Sequence, residues 1–348
     1  MDKFFLALLA FVPLTVIGQF FGMPPIYIFF LSAIAIIPLA KYIGEATEEL
    51  SARTGPAWGG LLNATFGNAV ELIIGILAIK AGLIEVVRAS ITGSVIGNLL
   101  LVLGTAMFLG GLRHKKQEFN RTAAMASGSA LFLAAIALTI PAIFSQTAQG
   151  LSVNTVEELS IFVAILIITL YASGLWFSLF THKHLYTEEE VKLEPRWSNK
   201  KSVLILLFAT LAVSWVSELL VNSIEPMVKT FGWTELFIGV IFVAIIGNAA
   251  EHTSAITMAM KNRMDLALQV AIGSATQIIM FVAPFLVIVS LFFTTQMSII
   301  FNLFELVSIV LSIILVNLVV ADGESNWLEG LQLVAAYAII GIAFYLHP

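Results

Sequence analysis

The sequence predicts an all-α polytopic membrane protein with eleven transmembrane helices, arranged as two inverted five-helix repeats plus one extra N-terminal helix. Three observations carry this. The chain is 59% hydrophobic and only 11% charged, with a mean hydropathy of +0.99, whereas soluble domains carry about a quarter charged residues. Its apolar runs repeatedly reach the roughly 20 residues that an α-helix needs to cross a hydrocarbon core of about 30 Å. It also resembles itself at one constant offset of 180 residues. Helices follow because lipid offers no partners for the backbone of an open strand.

Taken in order, the apolar runs between Gly, Pro or charged breaks span residues 4–21, 26–43, 57–79, 84–112, 122–144, 156–180, 203–224, 236–260, 266–292, 299–320 and 328–345. The first follows Lys3 and lacks a convincing small-x-small cleavage site, so it reads as a transmembrane helix rather than a signal peptide. The fourth and ninth are long enough to tilt, or to break near Gly93 and Gly273. This divides the chain into an extra helix at 1–25, a first repeat at 26–180, a polar linker at 181–201 and a second repeat at 202–348. The linker contains TEEEVKLEPRW, 187–197, which reads either as a solvated connection or as an acidic regulatory segment.

Charge orients the chain. With the N-terminus in the cytoplasm, 14 of the 17 Lys and Arg residues fall in cytoplasmic joints, and only Lys80, Arg88 and Lys229 fall outside. A multi-pass protein of the cell (inner) membrane is expected, with the lipid bilayer as its surroundings. No nucleic-acid partner and no cofactor are expected, and assembly of several copies into a homo-oligomer is compatible with the sequence. The absence of cysteine excludes disulfides and thiolate ligands.

The internal repeat points to transport. Gly67-Asn68-Ala69-Val70-Glu71 recurs as Gly247-Asn248-Ala249-Ala250-Glu251, and Gly93-Ser94 recurs as Gly273-Ser274, each displaced by 180 positions. Glu45 and Glu225, and Gly59 and Gly239, keep the same offset. Because each unit has an odd number of helices, the copies face opposite ways, an arrangement that places substrate sites at the midplane between repeats.

Glu71 and Glu251 are expected near the middle of the third and eighth helices, where an ionised side chain costs about 2.5 to 3.5 kcal/mol and is functional by default. Helical spacing sets Asn63, Gly67, Asn68, Glu71, Gly75 and Ala78 on one stripe, and Ala244, Gly247, Asn248, Glu251 and Ala255 on its counterpart. Ser94 and Asn98 on the fourth helix, with Ser274 and Gln277 on the ninth, extend the polar set. These are all oxygen donors, as are backbone carbonyls near Gly67 and Gly247. Such a set suits a hard divalent cation, above all calcium with its six to eight oxygen ligands, while manganese stays open. Without the ion, two carboxylates in one low-dielectric site repel each other and lose solvation, so protons become the alternative to metal. One divalent cation or two protons neutralise the pair, which is the requirement for a calcium/proton antiporter with Glu71 and Glu251 binding both ions. The alternatives are a sodium/calcium exchanger and an uncoupled divalent cation channel. A hydrolase is disfavoured, since neither H-E-x-x-H nor paired aspartates are present.

Other polar residues are weighed individually. Glu218 lines the path or makes structural hydrogen bonds; His252 relays protons or packs. Glu45, Glu48 and Glu49 form a vestibule or a solvated helix end. Glu305 has no role in this reading.

The segments NATFGNAVELI, GNAAEH, GSVIGNLLLVLG, GSATQI and GEATEEL resemble the calcium/proton exchangers of the cation/calcium antiporter superfamily over essentially the whole chain. The resemblance implies the eleven-helix inverted-repeat fold, Glu71 and Glu251 as central cation and proton ligands, and Asn98, Ser274 and Gln277 nearby. Sodium-coupled relatives carry G-T-S-x-P-E and G-T-S-x-P-D at the motif positions; this chain lacks the Thr, Ser and Pro, which argues for protons. One departure is that Gly97-Asn98 stands opposite Gln277-Ile278, so the two halves of the site need not be symmetric.

Overall fold

A computed structural model describes residues 2–54, 56–148, 153–181 and 195–347. The predicted linker lies mostly outside the described residues. The chain runs α1 (Asp2–Leu8), α2 (Phe11–Phe20), α3 (Pro25–Thr54), α4 (Pro56–Phe66), α5 (Ala69–Lys80), α6 (Ile84–Ile96), α7 (Leu103–His114), α8 (Arg121–Thr147), α9 (Val153–Trp176), α10 (Asn199–Asn222), α11 (Ile224–Phe231), α12 (Glu235–Phe237), α13 (Ala244–Gly247), α14 (Ala249–Met260), α15 (Met264–Gln277), α16 (Ala283–Ser290), α17 (Leu303–Val319) and α18 (Trp327–Leu346). Among the described residues nine helices are long and apolar enough to cross a membrane, and the bent pair Glu235–Gly247 and Ala249–Met260, at 60°, makes a tenth.

The spans 84–114 and 264–290 are the most enclosed, with 72% and 61% of their apolar windows buried, so they form the centre of the molecule. Spans 3–20, 155–181 and 327–346, each 17% buried, form its rim. Long α3 and α10 lie side by side, and α1 and α2 pack on α3. Small residues bring α7 and α18 together: a Cβ on Gly330 would lie 2.2 Å from the Phe108 nitrogen, and one on Gly111 2.3 Å from that of Trp327. Only glycine permits this approach of two backbones.

Two expectations about continuity are corrected. The fourth and ninth spans do not break at Gly93 and Gly273; they continue through π-helical turns at Gly97–Val102 and Ile278–Val282. The breaks lie instead in the third and eighth spans, at the Gly-Asn motifs. One departure from pure helix also appears, a two-residue antiparallel pairing of β1 (Gln117–Glu118) with β2 (Glu324–Ser325).

Polar contacts sort the joints into two ends. At one end, Lys116 Nζ pairs with Glu324 Oε1 at 2.6 Å, Gln117 donates to Asn262, and the Trp197 amide donates to Glu49 Oε2 at 2.9 Å. The hydrogen bonds to Glu324 and Glu118 hold the Lys116 ammonium above the usual lysine range. At the other end, Arg88 Nη2 donates to Ser298 Oγ at 2.8 Å and Lys80 lies 3.8 Å from Glu218. Each of these contacts joins joints that the charge count assigns to one side of the membrane.

Candidate cation site

Glycine followed by asparagine decides the local backbone. At Asn68 (φ −108°, ψ 30°) and Asn248 (φ −94°, ψ 15°) the chain leaves helical geometry for about one residue. A Cβ on Gly67 would lie 2.6 Å from the Asn63 carbonyl oxygen, so the turn needs glycine there. Helix resumes at Ala69 and Ala249, which puts Glu71 and Glu251 in the first turns of α5 and α14. The expected positions near the middle of the third and eighth helices are therefore corrected: each carboxylate sits at the N-terminal end of a half-helix.

The break also brings the motifs together. A Cβ on Gly247 would meet the Glu71 carboxyl group at 3.3 Å, so the first motif's acid lies directly on the second motif's glycine. Glu251 follows that glycine by four residues on the same span.

Both asparagines occupy N-cap positions, yet neither side chain caps its own helix. They are used across the site instead. Asn68 Nδ2 donates to Gln277 Oε1 at 2.6 Å, and its Oδ1 accepts from Ser274 Oγ at 3.5 Å. Asn248 Nδ2 donates to Ser94 Oγ at 2.8 Å, and its Oδ1 accepts from Asn98 Nδ2 at 2.7 Å. Asn98 Nδ2 also donates to Ser274 Oγ at 3.0 Å. The pairs Asn68 with Ser274 and Asn248 with Ser94 are related by the 180-residue offset. Asn98 and Gln277 are not, but each binds the asparagine of the opposite motif, which is how the asymmetry at 97–98 and 277–278 is absorbed.

After these bonds are assigned, four shielded side-chain oxygens of the site have no hydrogen-bond partner: Glu71 Oε1 and Oε2, Glu251 Oε2 and Asn98 Oδ1. A buried carboxylate left without a partner is costly. A divalent cation meets that cost chemically, and so do protons.

The remaining candidates lie elsewhere or do other work. Glu218 and Lys80 form a half-exposed ion pair at the end of α5. Glu45 pairs with Lys41 at 3.1 Å one turn away along α3. His252 follows Glu251 on α14 and is partly buried. Glu305 is fully buried and closes a capping box at the start of α17, accepting from the Asn302 amide and from Thr92 Oγ1 at 3.2 Å. Tyr171 was passed over in the sequence, where it is one aromatic in an apolar run. Its ring stacks on Phe281, and Gln277 stands beside its hydroxyl.

Comparison with known proteins gives a consistent result. The family model described as "Sodium/calcium exchanger protein" matches residues 24–180 and 201–346. The chain is 50% identical over 351 residues to the Ca(2+)/H(+) antiporter ChaA of Bacillus subtilis (strain 168), covering 99% of both chains. It is 46% identical over 363 residues to a Ca(2+)/H(+) antiporter of Aphanothece halophytica, covering 100% of this chain and 97% of that one. Among solved structures, native YfkE superposes with a TM-score of 0.87 at 47% identity, covering 98% of this chain and 99% of the other.

Proposed function

We propose that this chain, which belongs to the sodium/calcium exchanger protein family, is a secondary antiporter that exchanges calcium for protons by alternating access. The observation that carries this is the convergence of Glu71 and Glu251, from opposite Gly-Asn breaks, as shielded carboxylates without hydrogen-bond partners. Calcium binds between Glu71, Glu251 and the Asn98 amide oxygen. Carbonyls at the C-terminal ends of α4 and α13 and water complete its shell. Asn68, Asn248, Ser94, Ser274 and Gln277 form the hydrogen-bonded frame that fixes these ligands, and Gly67 and Gly247 give the backbone its turn and the Glu71 side chain its space.

The architecture that serves this function has eleven transmembrane segments. The pair α4 and α5 makes one broken span, and residues 235–260 make its inverted counterpart. The end holding Lys116, Arg53 and Trp197 faces the cytoplasm. Protons replace calcium at the carboxylates because either neutralises the pair, while the empty dianion resists passage through the membrane. Sodium coupling is disfavoured by the missing Thr-Ser-x-Pro pattern, although the family's name includes it.

The test is calcium uptake into sealed vesicles containing the chain, with an imposed pH gradient. Uptake is expected to follow the pH gradient, to ignore a sodium gradient and to disappear in Glu71→Gln and Glu251→Gln. Calcium flux without proton counterflow would establish a channel instead, and flux driven by sodium would establish the other exchanger.

A further inference from the structure

The two halves of the molecule are packed differently around the site. On α6, Val86, Ala89 and Gly93 are buried against residues 235–247. A Cβ on Gly93 would lie 2.0 Å from the Val240 carbonyl oxygen and 2.6 Å from its Cα; one on Gly239 would lie 2.5 Å from the Ala89 Cβ. The backbones are in direct contact there. The 180-residue offset maps this contact onto α15 and α4, with Gly273 for Gly93, Gly59 and Gly60 for Gly239 and Val240, and Leu266 and Gln269 for Val86 and Ala89.

In the second half the same contact is open. Nothing lies within 4 Å of a Cβ built on Gly273, Gln269 is exposed, and Leu266 is only partly buried. Helix α4 lies on α3 and on the π-helical turn Phe177–Thr181 instead. There the Leu179 side chain occupies the face of Gly60, with its Cδ2 2.7 Å from a Cβ built on that glycine.

Resting on the antiporter reading above, we propose that Gly60 and Gly273 are the gate residues of the basic end. In the opposite state of the carrier Gly60 closes on Gly273 as Val240 now closes on Gly93, and Leu179 is the wedge that keeps them apart in the present state. Glycine is needed at 273 because, as at Gly93, a Cβ there would fall on the partner backbone in the closed state. Leu179 is a positioning residue: it touches no ion and acts on the equilibrium between the two states.

The chain has no cysteine, so the single variant Gln269→Cys, at an exposed position on the same helix as Gly273, reports by itself. An impermeant thiol reagent reaches it in the purified chain while the contact is open and is blocked when α4 closes on α15. Adding Leu179→Ala removes the wedge and is expected to slow labelling about three- to tenfold, the population shift that loss of a leucine contact produces; an unchanged rate overturns the wedge. Gly273→Leu fits the open contact, where nothing lies within 4 Å of its Cβ, but puts a side chain where the closed contact has no room. It is expected to stop calcium/proton exchange in sealed vesicles, and exchange at the rate of the unmodified chain overturns the gate. Absence of exchange in the unmodified chain would overturn the antiporter reading; normal exchange without closure overturns only the gate.

Discussion

At the scale of single residues, the proposed division of the site into ligands and frame follows which amide oxygens are already used. Asn68 and Asn248 both spend Oδ1 as hydrogen-bond acceptors, whereas Asn98 keeps its Oδ1 free and shielded. Asn98→Ala removes one neutral ligand together with the donor that orients Asn248. Calcium affinity is expected to fall about tenfold, the equivalent of one hydrogen-bond-sized interaction of roughly 1.4 kcal/mol. Calcium titration of the purified chain checks this; unchanged affinity would return Asn98 to the frame. That Asn68, Glu71 and Ser94 have counterparts in Asn248, Glu251 and Ser274 is legible at one offset, whereas Asn98 and Gln277 stand outside it. The division was not, because it depends on a hydrogen bond between Asn98 and Asn248, 150 residues apart. Glu305 was equally opaque: the sequence assigns it no role, and its partners, Asn302 and Thr92, make it a helix cap.

At the scale of elements, hydropathy located the spans but not the breaks. Residues 57–79 and 236–260 are apolar on average, so a window runs straight across Gly67-Asn68 and Gly247-Asn248. The physical signal was the dipeptide itself, a residue without a side chain followed by one that tolerates non-helical backbone. The π-helical turns at Gly97 and Ile278 left no comparable trace. Stability at this scale is open to two tests by thermal unfolding in detergent. Asn302→Ala removes the capping box of α17 and is expected to destabilise the chain by about 1 kcal/mol. Gly330→Ala pushes a methyl group to within 2.2 Å of the Phe108 nitrogen, which forces α18 off α7 at a cost of roughly 1 to 3 kcal/mol. A melting temperature equal to that of the unmodified chain for Gly330→Ala would mean that the two helices do not pack through glycine.

At the scale of the whole molecule, the cross-chain contacts pair joints that the charge count puts on one side. Lys116 meets Glu324, and Trp197 meets Glu49, at the basic end; Arg88 meets Ser298 and Lys80 meets Glu218 at the other. Single cysteines at Lys115 and at Gln296 are therefore expected to react with an impermeant reagent from opposite sides of intact cells, Gln296→Cys from outside. Labelling of both from one side would mean that a span had been miscounted.

The central claim is that calcium and protons occupy the same carboxylates in turn, and the most direct measurement is the number of protons released when calcium binds to the purified chain in a weakly buffered solution. Release of protons with calcium is expected, with apparent calcium affinity falling as pH is lowered because protons compete for Glu71 and Glu251, and with both effects lost in Glu71→Gln and Glu251→Gln. Calcium binding of equal strength across the pH range, with no proton released, would contradict it.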